Sequence, residues 1–119
     1  MEIETYRQAW AERWAEETRR AQKRAQSALS LLPELVRILV DDYRATGVAL
    51  IGSLARGDHH AASDIDLVVA GVAPSAFFKA GAALERAADM PVDLVPWESA
   101  TDDMRDVVAR EGRVLHGRL

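Results

Sequence analysis

The residues of this chain best placed for chemistry lie in the run Ile51-Gly-Ser-Leu-Ala-Arg-Gly-Asp-His-His-Ala-Ala-Ser-Asp-Ile-Asp-Leu67. On a strand, side chains alternate between faces, so Asp64 and Asp66 point the same way. Two adjacent carboxylates repel unless a positive charge sits between them, and oxygen ligands of this kind favour Mg²⁺ or Mn²⁺. Upstream, Gly52-Ser53 directly follows an apolar run. A glycine there lets backbone N–H groups approach an anion closely, and the serine hydroxyl adds a further donor. A third carboxylate, Asp93, is set in the apolar segment Pro91-Val-Asp-Leu-Val95. A carboxylate on a core strand is costly unless it is paired or bound to metal. Three such groups on neighbouring strands can hold two ions roughly 3.5–4 Å apart, the spacing that serves in-line displacement at phosphorus. A phosphate-binding turn beside metal-binding carboxylates describes a site for a nucleoside triphosphate.

The elements needed to position these residues can be read from periodicity. Residues 4–32 contain no Gly or Pro and are rich in Ala, Glu, Arg and Gln, which favour helix. Ile3, Tyr6, Trp10, Trp14, Ala21, Ala25, Ala28 and Leu32 form one apolar stripe, aromatic at first and then mostly alanine. Ser30 is expected to end that helix or cap the next, with Pro33 in the following first turn. Leu35, Val36, Leu39, Val40 and Tyr43 mark a second helix ending near Gly47. Val48–Ile51, Ile65–Ala70, Pro91–Val95 and Arg113–His116 read as strands, and residues 54–63 as a polar loop. Helices are expected over Pro74–Asp89, with Phe77, Phe78, Ala82, Leu84 and Ala87 available to pack, and from a Ser99 or Thr101 cap to Arg110. Alternating strands and helices give an α/β (α+β) class, a small mixed sheet with flanking helices plus a long N-terminal helix. The expected organisation is an N-terminal amphipathic helix over 1–32 and a catalytic domain over 33–119.

Composition narrows the class further. The chain has 119 residues, 49% of them hydrophobic and 29% charged, as ordinary globular domains do. No apolar run reaches the roughly 20 residues of a membrane span, so no membrane association is expected. The N-terminus lacks the basic and apolar zones of a signal peptide, and a cytoplasmic location is the simplest expectation. With no cysteine, thiolate nucleophiles and disulfides are excluded. A net charge of −4 disfavours nucleic acid as the main partner.

The ordered set Gly52-Ser53, Arg56-Gly57, Ser63-Asp64-Ile65-Asp66-Leu67 and Asp93 resembles the polymerase-beta-like nucleotidyltransferase superfamily, and within it the minimal nucleotidyltransferases of the MntA-like antitoxin class. The likeness covers about residues 33–116. It implies a polymerase-beta-like fold in which Asp64 and Asp66 bind two Mg²⁺ or Mn²⁺ ions. Asp93 would bind the catalytic ion and help deprotonate the acceptor. Gly52 and Ser53 would hold the triphosphate of ATP, with Arg56 and Ser63 in support. The implied reaction moves AMP to a hydroxyl acceptor and releases pyrophosphate. Members of this class are often paired with small helical HEPN toxins, which implies a tyrosine hydroxyl of such a toxin as acceptor. The chain ends three residues after His116, so the acceptor is expected from a partner rather than from an added domain. Two rivals stand beside this reading: an antitoxin that acts by contact with little activity, and an aminoglycoside-like modifier of small molecules.

The remaining features have plainer readings. His59 and His60 are expected to face solvent, since the carboxylates already account for the metal. Arg19, Arg20, Lys23 and Arg24 are offset by Glu12, Glu16 and Glu17, as on a solvated helix face. The Tyr6–Trp10–Trp14 stripe lies outside the family likeness and would leave aromatic surface in water, which points to homo-oligomerisation or partner docking.

Overall fold

The structure, a computed structural model, describes residues 2–58 and 64–119. His59, His60 and Ser63 lie outside the described residues. Helix α1 (Ile3–Arg37) opens the chain and runs on through a π-helical turn, Ile38–Asp42. Then follow β1 (Gly47–Ile51), a one-turn helix α2 (Gly52–Arg56) and β2 (Ile65–Ala70). A 3-10 turn, Pro74–Ala76, leads into α3 (Phe77–Ala88) and β3 (Val92–Pro96). Helix α4 (Asp102–Glu111) and β4 (Arg113–Gly117) close the chain.

The four strands form one mixed sheet in the order β3-β2-β1-β4. β1 is antiparallel to both β2 and β4, whereas β2 and β3 run parallel. The parallel step is made by α3, since parallel neighbours need a crossover rather than a hairpin. Period-two alternation divides the sheet's side chains between two layers. Val48, Leu50, Ile65, Leu67 and Val69 face α1 and α3, packing with Leu35, Leu39 and Leu84. Leu35, Leu39, Leu50, Leu67 and Leu84 have no exposed surface, and each contributes about 1.5–3 kcal/mol by that burial. Ala49, Ile51 and Val68 face the other way, onto Val108 and Met104 of α4. That second layer is thin, and it is the layer that bears the site.

Three expectations are corrected. Ser30 and Pro33 do not end the first helix; Pro33 lies inside α1. Ala28, Leu32, Leu35 and Leu39, on both sides of Pro33, are all buried, so packing on the sheet holds the helix together across the imino residue. The start of the expected polar loop is instead α2, with Leu54 and Ala55 buried and Gly57 closing it at φ 85°. In α3 Phe77 and Leu84 pack as expected, together with Ala80 and Ala88, but Phe78 is 87% exposed and Ala82 and Ala87 are also exposed. Of the two expected caps, Thr101 is the one used: its Oγ1 accepts from the Met104 N–H at 3.2 Å.

The molecule measures 60 × 29 × 19 Å, and its 17.3 Å radius of gyration exceeds the roughly 13–14 Å of a compact chain this long. The excess is α1, whose first half overhangs the domain. Ile3, Tyr6, Trp10 and Trp14 on that overhang are 54–73% exposed.

Candidate active site

The site is built at one end of the sheet, where β1 leaves the core and β2 and β3 enter it. Ile51 is paired with Asp66 across the antiparallel step, and Asp66 with Asp93 across the parallel one. The backbone therefore sets Gly52, Asp66 and Asp93 side by side. Asp66 shares its strand face with Val68, and Asp93 shares its own with Val95, both of which pack in the α4 layer. Asp64 stands two residues before Asp66, at the mouth of β2, and is exposed.

Gly52 turns the chain out of β1 into α2 at φ 76°, a left-handed conformation that side chains rarely adopt. A Cβ at this position would run into Asp66 Oδ2. Glycine thus satisfies two requirements, the turn itself and the close approach of backbone to carboxylate. Ser53 follows; its carbonyl accepts from Gly57 N–H at 2.9 Å and from Asp58 N–H at 3.0 Å, which closes the short helix.

Burial pushes the Asp66 carboxyl above the ordinary aspartate range, and the neighbouring Asp93 and Asp64 push it further; Arg56 opposes them. Asp66 is thus a half-buried anion among anions, a donor set that suits a divalent cation. Among the described residues, no three acidic or histidine side chains stand close enough together to hold an ion as they are. The structure gathers the three aspartates at one sheet end without closing them into a finished chelate.

Arg56 is tied down by its own contacts. Its Nε donates to Asp58 Oδ2 at 3.1 Å and its Nη1 to Glu111 Oε2 at 3.2 Å. Those hydrogen bonds, first to Asp58 and then to Glu111, raise the guanidinium's pKa further. Glu111 was not among the residues singled out in the sequence. It ends α4, 55 positions away, and carries no local pattern that could have marked it.

Carboxylates in register on two strands could hold the divalent ions that serve in-line displacement at phosphorus. Residues 32–116 match the nucleotidyltransferase domain family, well over half of the chain, and the protein belongs to that family. It is an enzyme of the nucleotidyltransferase class. Similar solved structures include a mutant of the toxin–antitoxin pair MntA–HpeT, at 29% identity over 72% of each chain with a TM-score of 0.64. A toxin–antitoxin structure with AMP-PNP is likewise 29% identical, over 71% of this chain and 73% of that one, with a TM-score of 0.63. A complex of the tri-AMPylated Shewanella oneidensis HEPN toxin with its MNT antitoxin shares the fold at 24% identity. It covers 82% of this chain and 73% of that one, with a TM-score of 0.51. No curated protein sequence matches this chain. The likeness to minimal nucleotidyltransferases read from the motifs is borne out, as is the α+β fold with its long N-terminal helix. No helix among the described residues is long and apolar enough to cross a membrane.

Proposed function

We propose that this enzyme transfers AMP from ATP to a hydroxyl of a helical, HEPN-type toxin in the cytoplasm and thereby neutralises it. The observation that carries this reading is the register pair Asp66–Asp93 beside Gly52, within a domain of the nucleotidyltransferase family. Two of the similar structures are toxin–antitoxin structures, one of them with a nucleotide analogue. In this reading Asp64, Asp66 and Asp93 hold Mg²⁺ or Mn²⁺, which lowers the charge on the reacting phosphate and sharpens the acceptor as a nucleophile. Gly52, Ser53 and Ser63 receive the triphosphate. Arg56 stands beside it as a fixed positive charge, held in place by Asp58 and Glu111. Asp93, exposed at the open edge, takes the proton of the acceptor hydroxyl. The acceptor oxygen bonds to the α-phosphorus as the bond to pyrophosphate breaks, and pyrophosphate leaves.

The test is intact-mass spectrometry of the toxin after incubation with this protein, ATP and Mg²⁺. An added AMP on the toxin and released pyrophosphate are expected, and Asp66→Asn should abolish both. A toxin that stays unmodified yet is still neutralised, by the wild type and by Asp66→Asn alike, would make the protein a contact inhibitor instead.

A further inference from the structure

The overhanging half of α1 continues the same helix face that packs on the sheet. Ala28, Leu32 and Leu35 are covered by the protein's own domain, and about four to seven turns before Ala28, Ile3, Tyr6, Trp10 and Trp14 are more than half exposed. Where the overhang meets the domain there is a groove of about 670 Å³. Its α1 wall starts at Trp14 and continues over Ala21 and Ala25 to Leu29, and its other wall is Leu54, Gly57 and Arg113. One helix therefore carries a row of large apolar side chains at one end, and the last of them, Trp14, opens a trough whose α1 wall further along holds Ala21 and Ala25.

Charge follows the same polarity. Residues 2–17 hold five acidic and two basic side chains, whereas residues 19–24 hold four basic and no acidic ones. Two such helices laid antiparallel set the acidic, aromatic end of each against the basic, small-residue stretch of the other. A parallel pair would set like against like. We infer that two copies of this chain pair through antiparallel α1 helices, the aromatic end of each seated in the other's groove.

The area suffices. Aromatic side chains carry roughly 150–250 Å² each, and Ile3, Tyr6, Trp10 and Trp14 are all more than half exposed. Covering them on both copies removes on the order of 1,000 Å² from water, where specific interfaces begin. The row is also partly ordered beforehand, which lowers the entropy lost on pairing. Tyr6 and Trp10 meet edge to face at 6.1 Å, and Arg13 lies over the Trp10 ring at 5.8 Å. The pairing also reaches the active site. Gly57 and Asp58 line the groove, and Asp58 is one of the two anchors of Arg56. A second copy would thus border Gly57 and Asp58, next to Arg56. The arrangement stands whatever acceptor the enzyme uses.

Light scattering and sedimentation equilibrium of the full chain test it. Wild type should sediment at twice the chain mass, and Trp10→Ala with Trp14→Ala should weaken pairing at least tenfold while helix content and melting temperature stay unchanged. Arg20→Glu with Lys23→Glu, and separately Glu4→Lys with Glu17→Lys, should each weaken self-association. Mixing the two charge-reversed proteins should restore it, because each then offers the other the complementary end. A wild type that is monomeric at high micromolar concentration overturns the inference. So does a mixture that fails to recover, or an aromatic variant that loses only its hold on a toxin.

Discussion

Gly52 and Asp66 are locked to one another: the backbone turn that carries Gly52 lies against the carboxylate of Asp66, with no room for a Cβ between them. Adding a side chain at Gly52 therefore displaces the Asp66 carboxylate. Gly52→Ala combines a positive φ with a direct collision, and strain of that kind costs on the order of 1–3 kcal/mol. The expected result is a lower melting temperature together with a loss of nucleotidyl transfer of about a hundredfold or more, since misplacement by 1 Å can cost that much. Thermal melts and a pyrophosphate-release assay on the same preparation check both. A variant with normal turnover would show that the turn takes no part in placing the nucleotide.

The surroundings of Asp66 make a second prediction whose sign runs against ordinary substitutions. Burial, Asp93 and Asp64 raise its carboxyl in the folded protein. The native state therefore holds the proton more tightly than the unfolded chain does. Stability linked to this group is present below the unfolded-state value near 3.9 and is lost as pH rises through the higher folded value. At neutral pH, without divalent ions, Asp66→Asn should melt higher than wild type rather than losing the roughly 1 kcal/mol typical of a point substitution. The gap should close as pH falls below about 4. Adding Mg²⁺ should raise the wild-type melting temperature and leave Asp66→Asn where it was. Parallel melts between about pH 3 and 8, with and without chelator, decide it.

A third prediction concerns nucleotide binding. If Asp64, Asp66 and Asp93 together hold the ions that meet the triphosphate, ATP binding measured by calorimetry should require Mg²⁺ or Mn²⁺. Asp64→Asn with Asp66→Asn should abolish transfer, and Asp93→Asn should lower turnover more than it weakens ATP binding. Tight binding of ATP in the presence of chelator would remove the aspartates from the role of metal ligands.

Which parts of the molecule were legible in the sequence follows from the range of the interactions involved. Asp64, Asp66 and Gly52-Ser53 carry their geometry locally, through strand alternation and a glycine turn, so their grouping could be read from spacing. The placing of Asp93 against Asp66 needed only the guess that its strand lies next to β2, and the register pairs the two residues directly. Thr101 could be found as a cap because its partner, Met104, is three residues away. Glu111 could not be found, because its bond to Arg56 joins elements that only the finished sheet brings together. The α2 turn was hidden for a related reason. Five residues beginning with Gly have little intrinsic helicity, and it is the burial of Leu54 and Ala55 against the sheet that holds them in place.

Pro33 supplies the last prediction, because it marks a conflict between local preference and tertiary packing. Inside α1 it offers no N–H to the carbonyl of Leu29, and its ring crowds that carbonyl; in an isolated helix this would cost about 3 kcal/mol. The helix nevertheless runs unbroken to Arg37, with Leu32 and Leu35 buried on either side of the proline. Pro33 itself is exposed, so replacing it removes no core contact. Pro33→Ala should therefore raise stability, by at most about 3 kcal/mol and by less if the unfolded chain gains freedom as the ring is lost. Leu35→Ala, which opens a cavity at a fully buried position two residues away, should lower it by about 2–5 kcal/mol. Denaturant titrations of the two variants give opposite shifts in midpoint if packing, rather than local preference, carries α1 through Pro33. A Pro33→Ala variant that melts lower than wild type would mean that the ring itself is part of the packing.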